Sequence, residues 1–169
     1  MQKITPFLWF DKSAEEAINF YVSIFESSPA KKVESKIISI KRYPEGPLEG
    51  PMQGMEGKIM TAVFELEGQR FMALDGGPYF KASGAVSMHI ECETQEEVDH
   101  FWNHLTEGGD PVAQQCGWLQ DKYGFSWQVI PTTLARLLND KDPVKSNKVM
   151  QAMLKMKKIE IAGLEQAAE

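Results

Sequence analysis

The sequence predicts an α+β fold in which a strand–helix–three-strand unit occurs twice, followed by a helical tail. Three observations predict it. Residues 13–21, Ser-Ala-Glu-Glu-Ala-Ile-Asn-Phe-Tyr, recur 81 positions later (13 to 94) as Thr-Gln-Glu-Glu-Val-Asp-His-Phe-Trp. A hydroxyl residue, two glutamates and an aromatic pair fall at matching places, as in an internal repeat. Each copy also carries helix-start chemistry: Ser13 or Thr94 at the N-cap, with Glu16 or Glu97 three residues on to reach back to it. Finally, short apolar or β-branched runs broken by Gly and Pro surround both copies, as strands around a helix would.

Taken in order, residues 3–10 (Lys-Ile-Thr-Pro-Phe-Leu-Trp-Phe) read as a buried strand, with Pro6 limiting its pairing. A helix over 13–26 ends at Ser27-Ser28-Pro29. Residues 33–42 alternate as a second strand. Residues 43–57 are rich in Gly and Pro and form a long loop, either a lid or a disordered segment. Residues 58–66 and 69–74 make a hairpin turning at Glu67-Gly68. The break at Asp75-Gly76-Gly77-Pro78 closes a first module of about 1–84.

The second module, about 85–131, opens with a strand at 85–91 and its helix starts at Thr94. A turn at Gly108-Gly109 follows, then strands at 112–115, 118–120 and 125–130, the last two joined by the turn Asp121-Lys122-Tyr123-Gly124. The tail, 132–169, is helical over 132–138, 144–157 and a last piece to 164. Met150, Met153, Leu154 and Met156 give it an apolar stripe, suited to core packing or to a subunit contact. Each module has one half-buried sheet, so the whole chain is expected to share a core as a single domain.

Composition narrows the function. The 169 residues are 43% hydrophobic and carry a net charge of −6, which suits a globular chain and disfavours a nucleic-acid partner. The basic run 155–158 reads as a solvated helix face. Two cysteines, Cys92 and Cys116, fit neither a disulfide framework nor a metal knuckle and read as free thiols. With no signal-like or membrane-length apolar segment, the expectation is a cytoplasmic protein with no membrane partner.

His89 stands on the strand that opens the second module, two residues past Ser87 and so on the same face. Ser87, His89, Glu91, Ser126 and Gln128 are expected to present their polar groups together. A lone strand histidine commonly serves structure; as a functional group it is a candidate catalytic general base near neutral pH. His100 and His104 are four apart on a helix without an acidic companion motif, and read as a surface pair. Trp9, Phe10, Trp118 and Trp127 supply aromatic surface, and Phe10 joins the five polar residues as a ligand-contact candidate. Neither Gly76-Gly77 nor Gly108-Gly109 leads from a strand into a helix, so no turn suits a nucleotide-like methyl donor.

The chain resembles the PhnB-like branch of the vicinal oxygen chelate superfamily (glyoxalase, bleomycin-resistance and extradiol-dioxygenase relatives), a branch often labelled demethylubiquinone 3-methyltransferase. The stretches 6–11, 71–77, 115–118, 121–131 and 153–158 carry the resemblance. It implies two βαβββ modules whose curved mixed sheets form a cleft, commonly in a homodimer. Metal-using relatives hold a divalent ion at positions that correspond here to Pro6, Met72, Ser87 and Gln128. Only Gln128 is a fair donor, so neither a bound metal nor any other cofactor is expected. Two readings follow. One is a protein that binds or sequesters a small, partly apolar molecule; the other is an enzyme of lyase, isomerase, transferase or dioxygenase type using His89, Ser87 or Gln128, with or without a metal.

Overall fold

The computed structural model describes residues 2–169. Two compact units divide the chain, one ending at Ala82 and the other Ser83–Glu169. The first is built from β1 (Phe7–Phe10), α1 (Ala14–Glu26), β2 (Lys36–Arg42), β3 (Ile59–Leu66) and β4 (Gln69–Asp75). Its sheet runs β1-β4-β3-β2, with β1 parallel to β4 and the other pairs antiparallel. This is the strand–helix–three-strand unit that the sequence predicts. Helix α1 buries Ala14, Ala17, Ile18, Tyr21, Ile24 and Phe25 against one face of the sheet, where Leu8, Phe10, Ala62, Phe64, Leu66, Phe71 and Ala73 are buried.

Two local expectations in this unit fail for identifiable reasons. Ser13 occupies the N-cap of α1 but its side chain makes no capping bond. Asp75, 1% exposed at the end of β4, supplies the acceptor instead: its Oδ1 takes Ala14 N at 2.9 Å. Strand β2 starts at Lys36 rather than at residue 33, because acidic side chains claim the preceding amides. Glu67 accepts from Lys32 N and Val33 N, both at 3.1 Å, and Glu26 from Ser35 N at 2.9 Å. Glu67 itself sits at φ 46° beside Gly68 at 78°, the two-residue hairpin turn that the sequence indicates.

The second unit contains β5 (Ser87–Cys92), α2 (Gln95–Thr106), β6 (Trp118–Gln120) and β7 (Ser126–Pro131), followed by α3 (Thr132–Leu138), α4 (Pro143–Met153) and α5 (Ile161–Ala167). Its sheet has three strands in the order β5-β7-β6. The strand expected over 112–115 is absent. Asp110 accepts Val112 N at 2.9 Å and Pro111 opens a 3-10 turn, Pro111–Ala113, leaving only Gln115 to bridge to Trp118. At α2 the capping chemistry does form. Thr94 accepts Glu97 N at 3.2 Å, while Glu97 reaches back to Glu93 N at 2.7 Å, one residue beyond the cap.

The tail has a core of its own, in which Leu134, Leu137, Val149, Ile159 and Leu164 are buried with Met153 and Met156 packed against them. Those two methionines therefore belong to packing, whereas Met150 and Leu154 are 40% and 49% exposed. Helix α4 stops at Met153, short of residue 157, because the following backbone is needed elsewhere: Met156 O accepts Cys116 N at 2.9 Å and Lys157 O accepts Gly117 N at 2.7 Å. The Gln95 amide clamps the same stretch to α2, donating to Ile159 O at 3.1 Å and accepting Ile161 N at 2.8 Å. Among the described residues, no helix is long and apolar enough to cross a membrane.

Candidate functional site

Strands β5 and β7 run parallel and pair Ser87 with Ser126, His89 with Gln128 and Glu91 with Ile130. Residues two apart on a strand share a face. The five polar residues that the sequence brings together therefore do lie on one face of this sheet. Strand β6 adds Trp118 opposite Gln128 and Gln120 opposite Ser126. Ile90, Cys92, Leu119, Trp127 and Val129 are buried on the other face, with Val98, Phe101, Trp102 and Leu105 of α2 packed against that sheet. One side of the sheet is thus apolar and helix-covered, and the other is polar.

On the polar side a row of three side chains, His89, Gln128 and Trp118, crosses the three strands. His89 and Glu91 are exposed, Ser87 and Gln128 half-buried, and Trp118 is 38% exposed. Ser126 is 7% exposed, beneath the chain at Gly84. Gln128 Nε2 donates to Ser87 Oγ at 2.8 Å. The Gln128 carbonyl oxygen takes no hydrogen bond from any described residue, and the Ser87 proton goes to no acceptor among them.

Two aromatic assignments need correction. Phe10, a ligand-contact candidate, is 3% exposed on the helix side of the first unit's sheet, because the two-residue period of β1 turns it inward with Leu8. Phe7 and Trp9 occupy the other face of that sheet, beside Met72 and Leu74. Trp127 is likewise buried, at 2% exposure, and donates its indole N–H to Asp121 Oδ2 at 2.8 Å. Trp118 is the indole on the polar face. The alternation Trp118-Leu119-Gln120 against Ser126-Trp127-Gln128 is the sequence signal that locates it.

The positions that the resemblance ties to metal binding offer few donors, Gln128 being the fair one. The Pro6 carbonyl accepts Met72 N at 2.9 Å, Met72 offers only a thioether, and Ser87 Oγ already holds Gln128. Among the described residues, no group of three His, Cys, Asp or Glu side chains converges as metal ligands. The His100 and His104 rings lie 4.4 Å apart, and His104 Nδ1 is 2.7 Å from the His100 carbonyl oxygen, a local helix contact.

The glycine pairs serve packing. A Cβ on Gly76 would lie 2.2 Å from the Trp9 ring, whose Nε1 donates to Gly77 O at 2.9 Å. A Cβ on Gly109 would lie 2.2 Å from Gln120 O. Neither pair opens a helix to receive a phosphate or a nucleotide. The 43–57 loop is pinned to the first unit by Met55, 2% exposed. Glu56 accepts Leu48 N at 3.1 Å, and such backbone amides hold its carboxyl below the usual carboxylate range.

The protein is of the α+β class, with a helix packed on one face of each of its two sheets. Residues 2–130 match the model of the family described as 3-demethylubiquinone-9 3-methyltransferase, and the chain belongs to that family. A solved structure from Bacillus cereus, a putative 3-demethylubiquinone-9 3-methyltransferase and PhnB protein, is 42% identical; the match covers 75% of this chain and 97% of that one, with a TM-score of 0.60. Protein PA1353 from Pseudomonas aeruginosa is 22% identical over 75% of this chain and 95% of its own, with a TM-score of 0.57, a likeness of fold. No curated protein matches. The tail from residue 131 lies beyond the family match.

Proposed function

We propose that this protein binds a small, partly apolar molecule on the polar sheet face of its second unit. The observation that carries this reading is the row His89–Gln128–Trp118, which sets an exposed imidazole, a half-buried amide and an exposed indole side by side. Apolar surface with a few placed polar groups is how small-molecule sites are generally made. The methyl-transfer activity in the family's name finds no donor-binding turn to rest on, so binding or sequestration is preferred to it.

Ligand-observed NMR with a panel of small aromatic and aliphatic molecules tests the reading. Binding that perturbs the Trp118 indole and weakens on Trp118→Ala is expected; binders that ignore Trp118, Gln128 and His89 would overturn it. Replacing Gln128 or His89 with Ala is expected to weaken a bound ligand by roughly 1–3 kcal/mol each, where a buried partner is left unpaired.

A second reading is catalysis with His89 as general base, favoured by its exposure beside Gln128. Under that reading His89→Ala abolishes turnover while ligand binding persists. The protein is further proposed to act in the cytoplasm as a homodimer. Its two cysteines are unpaired, and Phe7, Ile38, Met150 and Leu154 leave apolar surface exposed. Sedimentation at micromolar concentration showing a monomer, with stability unchanged on dilution, would exclude the dimer.

A further inference from the structure

We infer that Ser87 and Gln128 together recognise a planar ring whose edge carries a hydrogen-bond donor beside an acceptor, as in a lactam or a ring hydroxy-ketone. This rests on the proposed binding face and specifies its ligand class. The 2.8 Å bond from Gln128 Nε2 to Ser87 Oγ has two consequences. With the amide nitrogen toward Ser87, the Gln128 carbonyl oxygen is left as an acceptor, and one lone pair of Ser87 is occupied, leaving that hydroxyl's proton to donate. An acceptor and a donor are thus carried by two side chains joined through one hydrogen bond, with the second Gln128 N–H as a further donor. The Gln128 amide oxygen reaches solvent in the free protein, so a ligand that covers it without offering a donor incurs a desolvation cost that a matching edge avoids.

The complement of that pair is a donor next to an acceptor on the ligand. The Gln128 carbonyl takes a ring N–H or enolic O–H, and Ser87 donates to the neighbouring carbonyl oxygen. The requirement for a plane comes from Trp118, paired with Gln128 across the β6–β7 ladder and 38% exposed. Adjacent strands stand about 4.8 Å apart, so a ring whose edge meets Gln128 lies within reach of the indole. Aromatic rings gain from such contact beyond their buried area. A ligand lacking the edge donor keeps the stacking but leaves the Gln128 oxygen unpaired.

The test compares quinolin-2-one, which has the lactam edge, with 2-methoxyquinoline, which keeps the rings but has no donor. Both are titrated against the full-length protein by calorimetry, with NMR to locate binding. The wild type is expected to favour quinolin-2-one by about tenfold or more, as two hydrogen bonds of ordinary net strength imply. Gln128→Leu is expected to erase that preference while 2-methoxyquinoline still binds. Ser87→Ala, a smaller change that guards against misfolding of the first variant, is expected to reduce the preference several-fold. Trp118→Ala is expected to weaken both probes alike. Equal affinity of the two probes at this face, or a preference that survives in Gln128→Leu, overturns the donor–acceptor inference while leaving the binding face in place. If neither probe binds, nor any other aromatic of the panel, the binding reading itself falls and this inference with it.

Discussion

Asp75, at the end of β4, accepts the first amide of α1, from Ala14, at 2.9 Å with one carboxylate oxygen; its other oxygen accepts Ile59 N at 3.0 Å. One buried side chain thereby ties the start of the helix, the start of β3 and the end of β4 together. It also takes the place of the local cap that Ser13 was expected to supply. Removing it leaves two buried donors without partners.

The first prediction compares the two residues by urea denaturation. Asp75→Ala is expected to destabilise the protein by about 2–4 kcal/mol, at about 1–2 for each orphaned amide. Ser13→Ala is expected to change stability by less than about 0.5 kcal/mol, since its side chain caps nothing. Thr94→Ala, which removes a cap that does form, is expected to cost about 1 kcal/mol. Equal losses from Ser13→Ala and Asp75→Ala would contradict the long-range cap.

Gly76 gives the second. A methyl group there meets the Trp9 ring at 2.2 Å, far inside contact distance. Gly76→Ala is expected to push the indole off Gly77 O, destabilising by about 1–3 kcal/mol as other overpacked sites do. In a background where Trp9 is the only tryptophan, its emission shifts toward that of exposed indole. An unchanged spectrum would show that the backbone yields instead.

The tail clamp supplies a dependence on pH. Burial opposes the charge of Asp99, but Lys158 at 2.6 Å and Gln95 prevail and hold its carboxyl below the ordinary 3.8. Its partner ammonium is raised above 10.5, chiefly by the same bond. A depressed carboxylate stabilises the fold above its unfolded pKa, and that contribution is lost as pH falls through the lower folded value. The raised lysine contributes fully below 10.5 and less as pH climbs through its folded value. Hydrogen exchange at residues 156–161 is therefore expected to quicken, relative to the rest of the protein, below about pH 3.8 and above about 10.5. Lys158→Met is expected to flatten both limbs. Limbs unchanged from the wild type in that variant would show that the pair does not hold the tail.

The fourth prediction separates the cysteines. Burial pushes the Cys92 thiol up to about 12, with Glu97 and Glu91 adding to it. At pH 8 Cys92 is then almost wholly protonated and enclosed, whereas Cys116 is half-buried. A thiol-disulfide reagent such as dithionitrobenzoate is expected to titrate one thiol in the native protein and two after unfolding. Rapid release of two equivalents from the native state would overturn this.

Some of this was written in the sequence alone. The repeat of Ser13–Tyr21 in Thr94–Trp102 fixed two helices, and the two-residue period of 87–91 and 126–128 placed Ser87, His89, Glu91, Ser126 and Gln128 on one sheet face. Both follow from periodicity, a property of neighbours along the chain. What the sequence could not decide depended on partners far away in it. Asp75, not Ser13, caps α1, because a carboxylate 61 residues on reaches Ala14. Phe10 faces the helix while Trp9 takes the opposite face, because pairing with β4 sets the phase of a strand only four residues long. The expected strand over 112–115 gave way to a 3-10 turn when Asp110 captured Val112 N. The Gln128–Ser87 bond, on which the proposed ligand class depends, spans 41 residues and exists only once β5 and β7 pair. Local chemistry chose the elements; long-range hydrogen bonds chose their phase and what their open faces present.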